Sequence, residues 1–233
     1  ARNLANEEQD TIARSKSVRM MFITAHMAAH VKNSDARDAD FWRISSELEA
    51  QAPENFLLAQ RSDATLQDRS FLFDSVDRLF FCGDLNYRID LPREVVEGTI
   101  LTLDEEMVCG DLLKHDQLLR TMTEGRAFPG FAEGKIRFNP TFKFDKETGE
   151  YDTSHKQRIP AWTDRILFKP WGTRVIAYDS VPGAQHSDHR PVYATFRVNL
   201  EGRELPPKVK RRREGGKEHR SKVRRADMKS NSK

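Results

Sequence analysis

Residues 79–86 read Leu-Phe-Phe-Cys-Gly-Asp-Leu-Asn, an apolar run that ends at Asp84 and Asn86. Four apolar residues in succession predict a strand that is buried on both faces. Gly83 then allows an unusual backbone turn or the close approach of another group. Asp84 and Asn86 stand two positions apart, so on a continuing strand their side chains point to the same side. The stretch by itself fits either a polar turn that caps a core strand or a pair of ligand-binding side chains.

The composition bounds the class of protein. The 233 residues are enough for one large domain or two small ones, and 14 Phe and 3 Trp can supply a substantial core. The 2 cysteines are too few for a disulfide scaffold, which favours a reducing, intracellular compartment. No apolar run approaches the ~20 residues of a membrane span. The charges throughout residues 1–30 are unlike a secretory signal.

Charge divides the chain into two parts. Residues 201–233 carry 13 Lys and Arg against 5 Asp and Glu, a net of +8, whereas residues 1–200 carry 26 against 31, a net of −5. The apolar pattern stops at residue 201, so we expect a disordered basic tail that cannot offset its ordering entropy by burying surface. Such a tail can bind nucleic acid, anionic lipid or an import receptor, or only keep the chain soluble.

Strands and helices mix without regular alternation, which favours a layered α/β or α+β fold. Pro92 suits the first turn of a helix, and Pro140 interrupts an otherwise alternating strand. The predicted strands cover residues 18–24, 75–82, 136–144, 165–168, 173–178 and 191–200, and the predicted helices cover residues 4–14 (weakly), 38–51, 92–103 and 111–122.

Several histidines stand close to predicted strands. His26 and His30 have the spacing of a zinc pair on a helix, but no Cys or Glu partner stands at a fitting distance, which disfavours zinc. His189 precedes the last strand, and a carboxylate such as Asp164 can fix the tautomer and charge of its imidazole. Ser187 makes a Ser-His-Asp nucleophile conceivable, but adjacent residues do not usually present their side chains to one another.

A basic cluster begins within the interrupted strand. Lys143, Lys156 and Arg158 flank Phe142 and Tyr151 in the acidic part of the chain, which indicates an anionic ligand, most simply phosphate. Together with Asp84 as a base, these residues match metal-assisted phosphoryl hydrolysis.

Five segments resemble the inositol polyphosphate 5-phosphatases: GDLNYRI (83–89), PAWTDRIL (160–167), SDHRPV (187–192) and the stretches 24–30 and 131–143. The resemblance implies a DNase I-like four-layer α/β/β/α sandwich that works with Mg²⁺. The family's Gln-Glu motif, whose Glu is the principal Mg²⁺ ligand, is not found before residue 18. We therefore expect residues 1–200 to be the C-terminal two-thirds of the catalytic domain, lacking the first strands.

The resemblance also implies roles for single residues. Asp84 would be the general base, Asn86 would place water and phosphate, and Asp164 would orient His189. His189 and His26 would contact the scissile phosphate. The implied metal-side and substrate-binding residues are Asp188 beside the metal, and Lys143, Lys156, Arg158, Arg165 and Phe142 around the substrate. Phe142 stands where the family usually has Tyr, and Thr163 replaces a common Cys, which we expect to matter little.

These implications predict Mg²⁺-dependent hydrolysis of the 5-phosphate of phosphatidylinositol phosphates or soluble inositol polyphosphates. The alternative is a catalytically impaired fragment, or a phosphoinositide-binding module that lacks the Mg²⁺-ligand Glu. A nuclease of the same fold class is disfavoured by the basic cluster, so we expect no specific nucleic acid partner. We expect a cytoplasmic location with peripheral membrane contact, and a nuclear location is conceivable through the tail.

Overall fold

A computed structural model describes residues 18–52, 73 and 76–200, and all of these lie within one compact unit, Ala1–Arg203. The predictions for residues 4–14 and for the tail over 201–233 fall outside the described residues. In chain order the elements are β1 (Met20–His26), α1 (Ser34–Gln51), β2 (Arg78–Asp84), α2 (Arg93–Thr102), α3 (Glu105–Leu112), a 3₁₀ turn (Leu113–His115), α4 (Gln117–Thr123), β3 (Ala132–Glu133), β4 (Asp164–Phe168), β5 (Thr173–Ser180) and β6 (Val192–Val198).

The first sheet has the order β1-β2-β4-β3, with β1 and β2 parallel and the other pairs antiparallel. Its central strand β2 is buried on both faces, as its apolar run predicts. Phe81 packs towards α1, where its ring centroid is 5.9 Å from that of Phe41. Phe80 points the other way and lies 4.9 Å from Phe196 of β6.

The pairing register brings three predicted site residues to one end of this sheet. His26 of β1 is the partner of Asp84 on β2, and Asp84 is in turn the partner of Asp164 on β4. Gly83 makes the approach of β1 and β2 possible. It has a φ of 129°, and a Cβ there would lie 2.2 Å from the backbone oxygen of Ala25. Both roles predicted for this glycine are therefore present.

The second sheet is the antiparallel hairpin β5-β6, which has a register shift between Val175 and Ala177. Along β6 exposure alternates strictly, so one face packs inward and the other faces solvent. The inward ring of Phe196 contacts Phe80 and Phe168 of the first sheet, so the two sheets pack face to face. The loop between β5 and β6 carries His189.

The helices α1 and α2 agree broadly with the sequence predictions. Helix α1 begins at Ser34, four residues earlier than predicted, and buries Phe41 against the first sheet. Helix α2 begins at Arg93 with Pro92 as its N-cap residue. Among the described residues, no helix is long and apolar enough to cross a membrane.

Two predicted elements are wrong. Residues 111–122 do not form one helix, because Asp104 and Asp116 each cap a separate helix by accepting from a backbone N–H of its first turn. Residues 136–144 do not form the predicted strand on either side of its interruption at Pro140. Only isolated bridges occur there, involving Phe142 and Phe144, since Pro140 cannot donate to a ladder.

Candidate active site

Asp84 lies at the end of β2, between β1 and β4. Its Oδ2 is 3.5 Å from Nε2 of His26, whose side chain is exposed at the end of β1. Burial and the nearby Asp164 carboxylate raise the pKa of Asp84, although neighbouring cationic groups act in the opposite direction. A carboxylate with a raised pKa is a better proton acceptor near neutral pH than an exposed one.

Asn86 is held in a fixed position after β2. It has a φ of 57°, a conformation that Asn tolerates, and only 3% of the residue is exposed. Its Nδ2 donates to the Met27 carbonyl at 3.0 Å, and its backbone N–H donates to Oδ1 of Asp84 at 3.1 Å. The guanidinium of Arg88 donates to both the backbone and the side-chain oxygen of Asn86. Sequence reasoning missed Arg88, although it belongs to the GDLNYRI segment.

His189 contacts Asp164 as the sequence suggested, with 2.6 Å between Nδ1 and Oδ2. Burial alone would lower the pKa of His189, but the hydrogen bond and charge of Asp164 outweigh burial and the pKa is raised. Thr163 donates to the same Asp164 oxygen at 3.0 Å, so it helps to fix that carboxylate. Because Nδ1 faces Asp164, Nε2 is the ring nitrogen left for a ligand.

The segment 141–144 forms the adjoining wall. The centroid of the Phe142 ring lies 4.7 Å from that of the His189 ring. The guanidinium carbon of Arg88 lies 4.4 Å from the same Phe142 centroid. Nζ of Lys143 is 2.5 Å from Oδ2 of Asp188. Burial alone would raise the pKa of Asp188, but Lys143 outweighs burial and the pKa is lowered. An anionic ligand would therefore compete with Asp188 for Lys143.

The loop that carries Lys156 and Arg158 is shaped by Asp152, a residue that sequence reasoning missed. The buried Asp152 carboxylate accepts from the backbone N–H of Arg158 at 2.8 Å and from that of Ser154 at 3.1 Å. Burial is the main cause that lowers the pKa of Arg88, and the positive charge of Arg158 lowers it further. Arg158 therefore lies near the site. Lys156 is exposed on this loop, and its contact with a ligand stays a prediction.

The expectation that Arg165 binds substrate is wrong in this structure. Its guanidinium is fully buried, and each nitrogen already donates to a protein acceptor. Two nitrogens bond both oxygens of Glu133 at 2.6 Å, and the third bonds Asp116 at 2.9 Å. Arg165 therefore joins β3, β4 and the start of α4, and contributes to the fold rather than to ligand binding.

The donor set at this end of the sheet does not by itself make a metal site. Within residues 18–52, 73 and 76–200, no group of three or more His, Cys, Asp and Glu side chains is arranged to hold a metal ion. Asp188, expected beside the metal, has its carboxylate engaged by Lys143. Mg²⁺ usually keeps octahedral oxygen coordination, and these side chains do not supply it among themselves.

Comparison with known proteins identifies the class. The family model "Endonuclease/Exonuclease/phosphatase family 2" matches residues 11–195. The inositol-1,4,5-trisphosphate 5-phosphatase 1 of Schizosaccharomyces pombe is 41% identical over 182 residues, which are 78% of this chain and 15% of that protein. Across the first curated relatives that it matches, the chain spans between 14% and 48% of their length.

Two solved structures share the fold. The inositol polyphosphate 5-phosphatase domain of SPsynaptojanin, solved with inositol (1,4)-bisphosphate and a calcium ion, has a TM-score of 0.62 and 39% identity. The match covers 78% of this chain and 47% of that one. A Cimex nitrophorin, solved as a ferrous NO complex, has a TM-score of 0.55 and 27% identity over 78% of this chain and 56% of that one. The fold alone therefore does not decide the function.

The fold is the DNase I-like mixed α/β fold that the sequence predicted. The chain belongs to the endonuclease/exonuclease/phosphatase family, whose fold is that of metal-dependent phosphoesterases. Its similarity to inositol polyphosphate 5-phosphatases at 35% to 41% identity confirms the resemblance found in the five segments.

Proposed function

We propose that the chain hydrolyses the 5-phosphate of phosphatidylinositol phosphates or soluble inositol polyphosphates. The observation that carries the proposal is the meeting of Asp84, Asp164 and His26 at the ends of three neighbouring strands, with His189 bonded to Asp164. The relatives at 35% to 41% identity support the same activity.

The geometry supports a division of labour among these side chains. Asp84, whose pKa is raised, accepts the proton of the attacking water. His189, whose pKa is also raised, donates from Nε2 to a phosphate oxygen while Asp164 holds its Nδ1. Lys143 leaves Asp188 to contact a second phosphate of the inositol ring.

The proposal includes dependence on Mg²⁺, because the family is metal-dependent and one relative was solved with calcium. No step is assigned to the metal, since the described side chains do not form its site. Phosphate release is therefore to be measured with Mg²⁺ and with a chelator, on vesicles containing a 4,5-bisphosphorylated phosphoinositide and on a soluble inositol trisphosphate.

The test compares the wild type with Asp84→Ala and with Asp111→Ala. Loss of a general base lowers the rate by about a hundredfold or more. Among the described residues Asp111 pairs with Lys114 at an exposed position, so its removal controls for the loss of one surface carboxylate. Equal rates for Asp84→Ala and the wild type would sink the assignment of Asp84.

A second candidate is a module that binds phosphoinositide headgroups without hydrolysing them. The incomplete metal-binding donor set favours it. This candidate predicts vesicle binding that survives the chelator, with no phosphate release at any Mg²⁺ concentration. Mg²⁺-dependent release by this chain would exclude it.

We also propose that the protein acts at the cytoplasmic surface of membranes and that the basic residues 201–233, with a net charge of +8, add affinity for anionic lipid. Sedimentation with anionic vesicles is the test. Deleting residues 201–233 is expected to weaken binding and to reduce its salt dependence. An unchanged affinity would instead direct attention to binding of these residues to a nuclear import receptor.

A further inference from the structure

A polar cavity of about 300 Å³ lies next to the candidate active site but outside it. Thr141 and Arg190 line this cavity, whereas their chain neighbours Phe142 and His189 form the wall of the candidate site. The two segments are joined, because the backbone N–H of Arg190 donates to the carbonyl of Thr141 at 2.8 Å. None of the residues to which we assign a catalytic role lines the cavity.

Two residues that line this cavity each have a buried polar atom that lacks a partner among the described residues. Thr141 is 1% exposed, and its Oγ1 makes no hydrogen bond within the part of the chain that the structure describes. The same holds for Oδ1 of Asn139, which also lines the cavity. Burying a hydroxyl and an amide oxygen without partners is unfavourable. Because both residues line the cavity, rotation of their side chains can bring these atoms to a molecule bound there.

Arg190 supplies positive charge to the same space. The residue is 4% exposed, and its guanidinium carbon lies 3.9 Å from the centroid of the Phe144 ring. Nη1 donates to the Ser187 carbonyl at 3.0 Å. A guanidinium has five N–H donors, so most of them remain for a ligand.

The rest of the lining defines the ligand further. Phe144 and Tyr151 stack on each other with centroids 4.5 Å apart and give the cavity an apolar wall. At Gly149 a Cβ would lie 3.7 Å from Nη2 of Arg190, so the absence of a side chain keeps the approach to the guanidinium open. Glu105, an acidic residue of the lining, is exposed at the rim. A cavity of about 150 Å³ holds benzene, so this one has room for a molecule with one ring.

We propose that this cavity is a second binding site, for a small molecule that carries one oxyanionic group, a phosphate or a carboxylate. Arg190 and the hydroxyl of Thr141 donate to the oxyanion, and the rings of Phe144 and Tyr151 contact the remainder. Asn139 accepts from a hydroxyl of the ligand, or donates to the oxyanion after its amide turns about its last bond.

The test uses the full chain and two probes, benzoate and inorganic phosphate, with titrations followed by calorimetry and by amide chemical shifts. Phosphate is also expected to bind the candidate active site, so each titration is repeated in a Lys143→Met background. We expect saturable binding of at least one probe in that background, with shifts at the amides of Gly149 and Gln185. Binding of phosphate alone or of benzoate alone identifies which oxyanion the site accepts.

Three substitutions make the test specific. Thr141→Val removes the hydroxyl at constant shape and is expected to weaken binding about tenfold, the effect of one hydrogen bond to a charged group. Thr141→Ser keeps the hydroxyl and is expected to bind as the wild type does. Thr195→Val, on the exposed face of β6, is the matched control and is expected to change nothing. The proposal is overturned if neither probe binds saturably in the Lys143→Met background, or if Thr141→Val binds as tightly as the wild type.

Discussion

Replacing Asp164 by Asn tests the electrostatics of the candidate site with little change of shape. The Asn side chain can still accept from Nδ1 of His189, now 2.6 Å from Oδ2 of Asp164, but it carries no charge. The carboxylate helps to raise the pKa of His189 and also contributes, after burial, to raising the pKa of Asp84. We therefore expect Asp164→Asn to lower the pKa of both residues.

The loss of stability follows from the same contact. A hydrogen bond to a charged group contributes about 1.5–3 kcal/mol. The lower end of this range applies, because the side chains of His189 and Asp164 are each about a quarter exposed. The substitution also removes the repulsion between the carboxylates of residue 164 and Asp84. For a chain of this size, about 1.5 kcal/mol corresponds to a fall of about 3–6 °C in Tm.

The loss should depend on pH in a defined direction. The pKa of His189 is raised in the folded state above its ordinary value of 6.5. Its contribution to stability is therefore fully present below that value and is lost as the pH rises through the folded-state pKa. We expect Asp164→Asn to be less stable than the wild type at about pH 6, and equally stable or more stable at about pH 9.

The assay combines urea unfolding at both pH values with NMR titration of the His189 and Asp84 signals. Asp111→Asn, at an exposed surface pair, controls for the removal of one carboxylate. The reasoning is refuted if the pKa of His189 stays the same or rises in Asp164→Asn. It is also refuted if the loss of stability is the same at both pH values.

Three further substitutions, with Gly98→Ala as a control for the first, address the fold and the ligand. Gly83→Ala places a Cβ 2.2 Å from a backbone oxygen of β1 and should lower the free energy of unfolding by about 3 kcal/mol or more. Gly98→Ala, in helix α2, has nothing within 4 Å of the new Cβ and should raise the free energy of unfolding by about 0.5–1 kcal/mol. Glu133→Gln removes one of the two carboxylates that pair with the buried Arg165, while Asp116 still pairs with it, and should cost about 1.5–3 kcal/mol in urea unfolding. Lys143→Met should raise KM for a 4-phosphorylated substrate with little effect on kcat.

A specific result would contradict each of these predictions. If Gly83→Ala proves no less stable than Gly98→Ala, the close approach of β1 and β2 does not limit this position. Lys135→Ala removes an exposed pair with Glu106 and should change stability by less than about 0.5 kcal/mol. A Glu133→Gln protein as stable as Lys135→Ala would contradict the structural role of the Arg165 pair. A fall in kcat at unchanged KM would contradict the role given to Lys143.

The helix and strand predictions show where local pattern suffices. The apolar run before Gly83 predicted β2, because a strand buried on both faces needs continuous apolar residues. Pro92 marked the beginning of α2 for an equally local reason. The predicted helix over 111–122 failed because the apolar pattern was given more weight than Asp116, whose side chain caps a new helix.

The residues of the candidate site also fall into two groups, those that the local sequence identifies and those that it does not. Sequence motifs identified Asp84, Asp164 and His189, since polar residues beside apolar strands are visible along the chain. The sequence did not identify the roles of Arg88, Asp152 and Arg165. A guanidinium that holds Asn86 and one that is enclosed by carboxylates look the same in a sequence. Their partners lie on other elements, and only tertiary packing decides which charge is neutralised and which faces a ligand.

By itself, therefore, the sequence determined the family, the buried strand with its polar end, and the candidate base and imidazole. The tertiary structure decided that Asp84 of β2 lies opposite Asp164 of β4, that Lys143 forms an ion pair with Asp188, and that Arg165 has a structural role. The physical reason is the separation along the chain over which each effect acts. Backbone propensity and burial pattern act between near neighbours in the chain, whereas pKa values and ion pairs depend on residues brought together from distant strands and loops.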